Sequence, residues 1–151
     1  MKKKLTFAIF LIIIFTNIVS KVHSIEADVF IQSTVNRAAK TLGGNLSKEE
    51  RIEKLKDIAR DTVDITGIGF YSLGAHRKNL TEKQIIEYKK VFAKYFLKSF
   101  SSRLAEYSNP EIEVNSKKVI NKNYTIVSST LVSTDSRPEV KIEWRVYTKD
   151  P

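Results

Sequence analysis

The chain contains no cysteine. That excludes a disulfide scaffold, thiolate metal sites and a cysteine nucleophile, so packing alone must hold the folded domain together. Histidine is nearly as scarce, with only His23 and His76. Once His23 is assigned to a removable leader (below), His-pair metal sites and His-x-x-x-His spacings are impossible. A Ser-His-acid triad would have to use His76, yet no serine stands in a Gly-x-Ser-x-Gly elbow. Glycine is rare too, at five residues. Gly67-x-Gly69 lacks the third glycine of a phosphate loop and follows no strand. A carboxylate pair could be built from Asp61 and Asp64, but both stand where helix caps are needed.

One long apolar run is present, and it is at the start. Lys2, Lys3 and Lys4 precede Leu5 to Val19, which is broken only by Thr6, Thr16 and Asn17. Small residues follow, and Val22-His23-Ser24 has the −3/−1 pattern of a cleavable export signal. The run is shorter than the roughly 20 residues that cross a bilayer. Cleavage is expected after Ser24, with Ser20 as the second choice, leaving residues 25–151 as a single domain. Four of the 26 basic residues and no acid lie in the leader, so the net charge falls from +9 to +5 on cleavage. An exported chain has little occasion to meet nucleic acid. The residual charge is read as a solvated cationic surface, with an anionic membrane or headgroup as the sharper alternative. Asn45, Asn79 and Asn123 form glycosylation sequons that matter only in a eukaryotic secretory route.

The mature chain changes period partway along. Val29, (Ile31), Val35, Ala38, Ala39 and Leu42 recur at helical spacing from Asp28 to Leu42, and Gly43-Gly44 is read as a left-handed stop. Ser47-Lys-Glu-Glu50 is a capping box opening a second helix, with Ile52, Leu55, Ile58 and Ala59 inward. Asp64 is placed to cap a short third helix carrying Ile65, Ile68 and Leu73. Gly67 and Gly69 weaken it by about 1 kcal/mol each relative to alanine. Thr81-Glu-Lys-Gln84 is a second capping box. It opens a long helix to about Tyr107, with Tyr88, Phe92, Tyr95, Phe96, Phe100, Leu104 and Tyr107 on one broad face, before Asn109-Pro110 ends it. Glu111 to Val114, Tyr124 to Val132 and Val140 to Tyr147 then alternate as strands of an antiparallel meander. Helices first and strands after predict an α+β domain. The joint FYSLGAHRKNLTEKQ between the third and fourth helices is soft on one side and firmly capped on the other, so it is expected to move as a gate.

The inward aromatic inventory is large: Phe70, Phe92, Tyr95, Phe96, Phe100, Tyr107, Tyr124 and Trp144. Two readings stay open. These side chains fill a closed core, or they border an apolar cavity between helices and sheet, with Tyr88, Tyr95 and Tyr107 at its mouth.

In register, the middle of the chain carries Val63-Asp64-Ile65, Leu73-Gly74, Arg77, Leu80-Thr81 with Gln84, Val91-Phe92, Tyr95, and Leu104 with Tyr107. This series resembles the MlaC, or toluene-tolerance, family of periplasmic phospholipid-binding proteins, over about residues 27 to 149. His76 stands where the family commonly has an aromatic, and Gly67 and Gly69 replace better helix formers. The resemblance implies N-terminal helices packed on a curved antiparallel sheet, with a further strand and C-terminal segment beyond Pro151. It implies a phospholipid whose acyl chains enter an apolar cavity while its headgroup stays in water. It also implies shuttling between an outer-membrane lipoprotein complex and an inner-membrane ABC transporter, which helps keep outer-membrane lipid asymmetry. Candidate lining residues are Ile68, Leu73, Phe92, Tyr95, Phe96, Tyr107, Val127 and Trp144, and Arg77 is the candidate headgroup or partner contact. No cofactor, metal or catalytic residue is expected, and the carrier is expected to be a monomer. The alternatives are an exported, non-enzymatic protein-binding or scaffold domain with a closed core, and a small-substrate hydrolase built on His76 or clustered carboxylates.

Overall fold

Four helices lead into a three-stranded sheet in the computed structural model of the chain, which describes residues 25–108, 110–133 and 137–149. The leader expected over residues 1–24 lies outside the described residues. The helices are α1 (Ala27–Gly43), α2 (Lys48–Thr62), α3 (Ile65–Ser72) and α4 (Glu82–Leu104), with a 3₁₀ segment at Gly74–Asn79. The strands are β1 (Ile112–Asn121), β2 (Tyr124–Leu131) and β3 (Val140–Tyr147), in the order β1-β2-β3. The α+β expectation is borne out.

Local chemistry sets the helix starts. Ser47 Oγ accepts from the Glu50 N–H, and the Glu50 carboxylate accepts from the Ser47 N–H, at 3.2 and 2.9 Å. Thr81 and Gln84 repeat the exchange at 3.3 and 2.8 Å. Each box satisfies two backbone donors that a helix start leaves free. Asp64 caps α3 by accepting from Gly67 N at 2.9 Å. The sequence expectation fails at Gly43-Gly44: Gly43 is still helical and Gly44 is extended, at φ −83°. The left-handed residue is Gly74, φ 53°, where the chain turns from α3 into the 3₁₀ segment.

The core has two parts, and α1 belongs to both. Its first half sets Ile31 and Val35 on Val127 of the central strand, with Phe30, Ile112, Val114, Trp144 and Val146 around them. Its second half sets Leu42 against Leu55 of α2 and Ala105 after α4. Val29, placed in the inner stripe by its spacing, is instead 57% exposed. Residues i and i+2 on a helix point about 200° apart, so Val29 and Ile31 cannot share a face. Ion pairs fasten the same helix to the sheet. Lys117 of β1 bonds Glu26 and Asp28 at the α1 N-terminus, and the Lys117 contact holds the Asp28 carboxyl below its usual range.

In the sheet, β2 and β3 pair without interruption from Tyr124↔Tyr147 to Leu131↔Val140. The β1–β2 register shifts between Val114 and Ser116, and the skipped Asn115 accepts from the Thr130 hydroxyl at 2.9 Å. Trp144 lies opposite Val127, and its Nε1–H donates to the buried Ser129 hydroxyl at 2.8 Å.

The principal partners of α4 are α2 and α3, while α1 covers the sheet. Tyr88, Phe92, Phe96 and Phe100, four residues apart, form a continuous offset stack along α4 with centroid separations of 5.8, 6.1 and 5.4 Å. Gly69 lets α3 reach this stack, since a Cβ there would stand 2.7 Å from Phe92 Cδ1. At Gly67 a Cβ would collide with the capping carboxylate of Asp64. The two glycines therefore serve close packing and capping, a role beyond the helix weakness that sequence suggests. Gly69→Ala tests this. Alanine gains about 1 kcal/mol of helix propensity, whereas overpacking costs about 1–3 kcal/mol. Denaturant unfolding should show a net loss of up to about 2 kcal/mol; a gain would mean that the Phe92 ring is not held.

Candidate functional site

Between α1, the α2–α3 joint, α3 and β3 lies an open cleft of ≈980 Å³. This is at the upper end of the roughly 300–1,000 Å³ usual for ligand pockets. Phe30, Ile31, Val63, Ile68, Trp144 and Val146 make its wall apolar. The polar residues in the wall have their donors engaged. Thr34 Oγ donates to the Phe30 carbonyl at 2.9 Å and Thr62 Oγ to the Ile58 carbonyl at 2.6 Å. The Trp144 N–H is satisfied by Ser129 behind it. A hydroxyl or indole N–H already bonded presents no unmet hydrogen-bond demand, so the wall suits a ligand that offers none. Charge and wet aromatic groups gather at the rim: Asp64, Arg145, Lys149, and Tyr71 and Tyr147, which are 77% and 67% exposed.

The structure brings some of the sequence-nominated residues together and separates others. Ile68 and Trp144 both line this cleft. Val127 lies beneath it, fully buried against Ile31 and Val35. Leu73 is buried at the C-terminal cap of α3, outside the lining. Phe92 and Phe96 sit half-buried in the α4 stack, in a different layer from the cleft. Tyr95 is 68% exposed. One helical step is about 100°, so turning Phe96 toward α3 turns Tyr95 outward. Tyr107 lies beyond the α4 C-terminus beneath Arg137, whose Cζ is 4.5 Å from the ring centroid. Arg137 also pairs with Glu106 at 3.3 Å and so ties the β2–β3 connection to the end of α4. Of the proposed tyrosine mouth, Tyr88 is instead bonded to Ser72 at 2.8 Å; the Ser72 proton goes to the Gly69 carbonyl, so Tyr88 donates.

Arg77 is exposed in the 3₁₀ segment, with Cζ 5.2 Å from the Phe70 ring centroid. His76 is on the same exposed segment, away from the cleft lining. Among the described residues no group of three His, Asp or Glu side chains is arranged to hold a metal ion.

Sequence reasoning missed the contribution of α1 and of the α2–α3 joint to the wall. The available signal was the apolar pair Phe30-Ile31, which puts two side chains on adjacent faces of one turn. Both pack on the sheet and both border the cleft.

The MlaC protein family model matches residues 32–151, well over half the chain. A comparison with curated proteins finds no match. The fold is similar to that of the solved phospholipid-binding protein from Ralstonia solanacearum in complex with a phospholipid. The TM-score is 0.66 at 15% identity, over 82% of this chain and 72% of that one. The resemblance drawn from residues 63 to 107 is thus borne out, and the chain belongs to the MlaC family.

Proposed function

We propose that this protein is an exported phospholipid carrier that holds the acyl chains of its cargo in the cleft between α1, α3 and β3. The observation that carries the reading is the apolar wall, with its donors engaged and its charges confined to the rim. Each CH₂ left in water costs about 0.8 kcal/mol, so a two-chain lipid needs such a shelter to cross an aqueous space. Family membership and the phospholipid in the Ralstonia solanacearum structure support the same cargo.

In this reading residues 1–24 direct export and are cleaved near Ser24, and the protein works in the periplasm as a monomer without enzymatic activity. It shuttles phospholipid between an outer-membrane lipoprotein complex and an inner-membrane ABC transporter, which maintains outer-membrane asymmetry. Ile68 and Trp144 are its acyl contacts, and Phe30 and Val146 join them. The closed-core scaffold reading is disfavoured by a cleft of ≈980 Å³. Organic extraction and mass spectrometry of protein purified from a bacterial periplasm should recover phospholipid. Lipid-free protein from cells exporting it normally would contradict the proposal.

A further inference from the structure

The surface around α3 and the start of α4 gathers cations that have no ion-pair partner among the described residues. Six Lys and Arg residues and two Glu fall between positions 70 and 94. Among the described residues none of those six cations is ion-paired. Ion pairs do form on other surfaces, as between Arg37 and Asp61, Lys56 and Glu53, Arg60 and Asp57, and Lys117 with Glu26 and Asp28.

Two of the unpaired cations converge on one ring. Arg77 Cζ lies 5.2 Å, and Lys89 Nζ 5.1 Å, from the centroid of Phe70. Both are within cation–π range, which orients them but neutralises neither.

The same surface is apolar where a soluble helix is normally polar. Gly69 and Ser72 turn the inner side of α3 to α4. The remaining arc carries Ile68, Phe70 and Tyr71, which are 43%, 36% and 77% exposed. Aromatic rings flanked by Lys and Arg suit the boundary between headgroups and acyl chains, where the rings enter and the cations reach phosphates. Ile68 and Tyr71 also belong to the cleft lining, so this surface adjoins the cleft mouth.

We infer that the outer arc of α3, with Arg77 and Lys89, is a docking surface for an anionic phospholipid bilayer. Docked this way, the protein turns the cleft mouth to the membrane. The inference rests on the carrier reading only for what the cleft holds; membrane binding itself is measured separately.

The test is co-sedimentation of the exported protein with vesicles of phosphatidylcholine alone, or containing about 30% phosphatidylglycerol. One surface cation near an anionic leaflet is worth about fivefold in binding, so the pair should be worth roughly 25-fold. Wild-type protein should prefer the anionic vesicles, and Arg77→Gln with Lys89→Gln should lower that binding by about this factor. Lys54→Gln with Lys118→Gln removes the same charge from exposed positions on α2 and β1 and should change it far less. Phospholipid recovered by extraction should be the same for both double variants, which separates docking from cargo retention. Equal losses in the two double variants, or no preference for anionic vesicles, would overturn the inference. So would an Arg77→Gln, Lys89→Gln protein that keeps its vesicle binding but loses binding to an acidic polypeptide such as polyaspartate.

Discussion

Replacing Val127 with aspartate is expected to abolish the folded state. Val127 is fully buried in the central strand, enclosed by Ile31 and Val35 of α1 and by Trp144 from β3. A carboxylate there would have no cation to pair with in the cluster that surrounds it. Burying an unpaired charge, or protonating it to avoid doing so, costs several kcal/mol. Domains of this kind are stable by about 5–15 kcal/mol in total. The loss should also spread, because α1 carries the sheet on its first half and α2 with the end of α4 on its second. Circular dichroism should show no cooperative thermal transition, and extraction should recover no phospholipid. A Val127→Asp protein that melts within a few degrees of wild type would mean that α1 does not pack on the sheet as described.

The second large effect is functional and should leave the fold intact. Ile68 is 43% exposed and lines the cleft, so Ile68→Glu removes little from the core. Changes at such positions usually shift stability by about 0.5 kcal/mol or less. Against an acyl chain the carboxylate must either lose its water or hold the chain away from α3. Even the loss of two methylene contacts, about 1.6 kcal/mol, exceeds the roughly 1.4 kcal/mol that makes a tenfold change in affinity. Co-purifying phospholipid should therefore fall at least about tenfold, while Ile68→Leu retains it. A folded Ile68→Glu protein with a full lipid load would remove α3 from the cargo site.

These expectations depend on contacts that differ in how visible they are from the residues alone. Local chemistry is readable: the Ser47 and Thr81 capping boxes form as their spacing predicts, and Asp64 caps α3. The strict alternation of Val140 to Tyr147 predicts β3 to the residue. What periodicity cannot supply is the identity of the surface a face meets. The aromatic stripe of α4 has helical spacing whether it faces a sheet or another helix, and it meets α2 and α3. Consequently periodicity assigns Phe92, Phe96 and Tyr95 to a cavity whose wall comes instead from Phe30, Ile31 and Val63. Gly69 is a further case: a glycine inside a helix reads as weakness, and only the 2.7 Å approach to Phe92 reveals its packing role. The family, by contrast, is legible because it rests on order and register along the chain, which need no tertiary information.

The site assignment can be tested at the level of individual residues. A phospholipid bearing a photoreactive diazirine near the end of one acyl chain is loaded into the purified protein and irradiated. Labelled peptides are then located by mass spectrometry. Label should concentrate on Phe30, Ile68, Trp144 and Val146, which line the cleft between α1, α3 and β3. Label concentrated on the α4 stack at Phe92, Phe96 and Phe100, with those four residues unmarked, would contradict the assignment and place the acyl chains on the other side of α3.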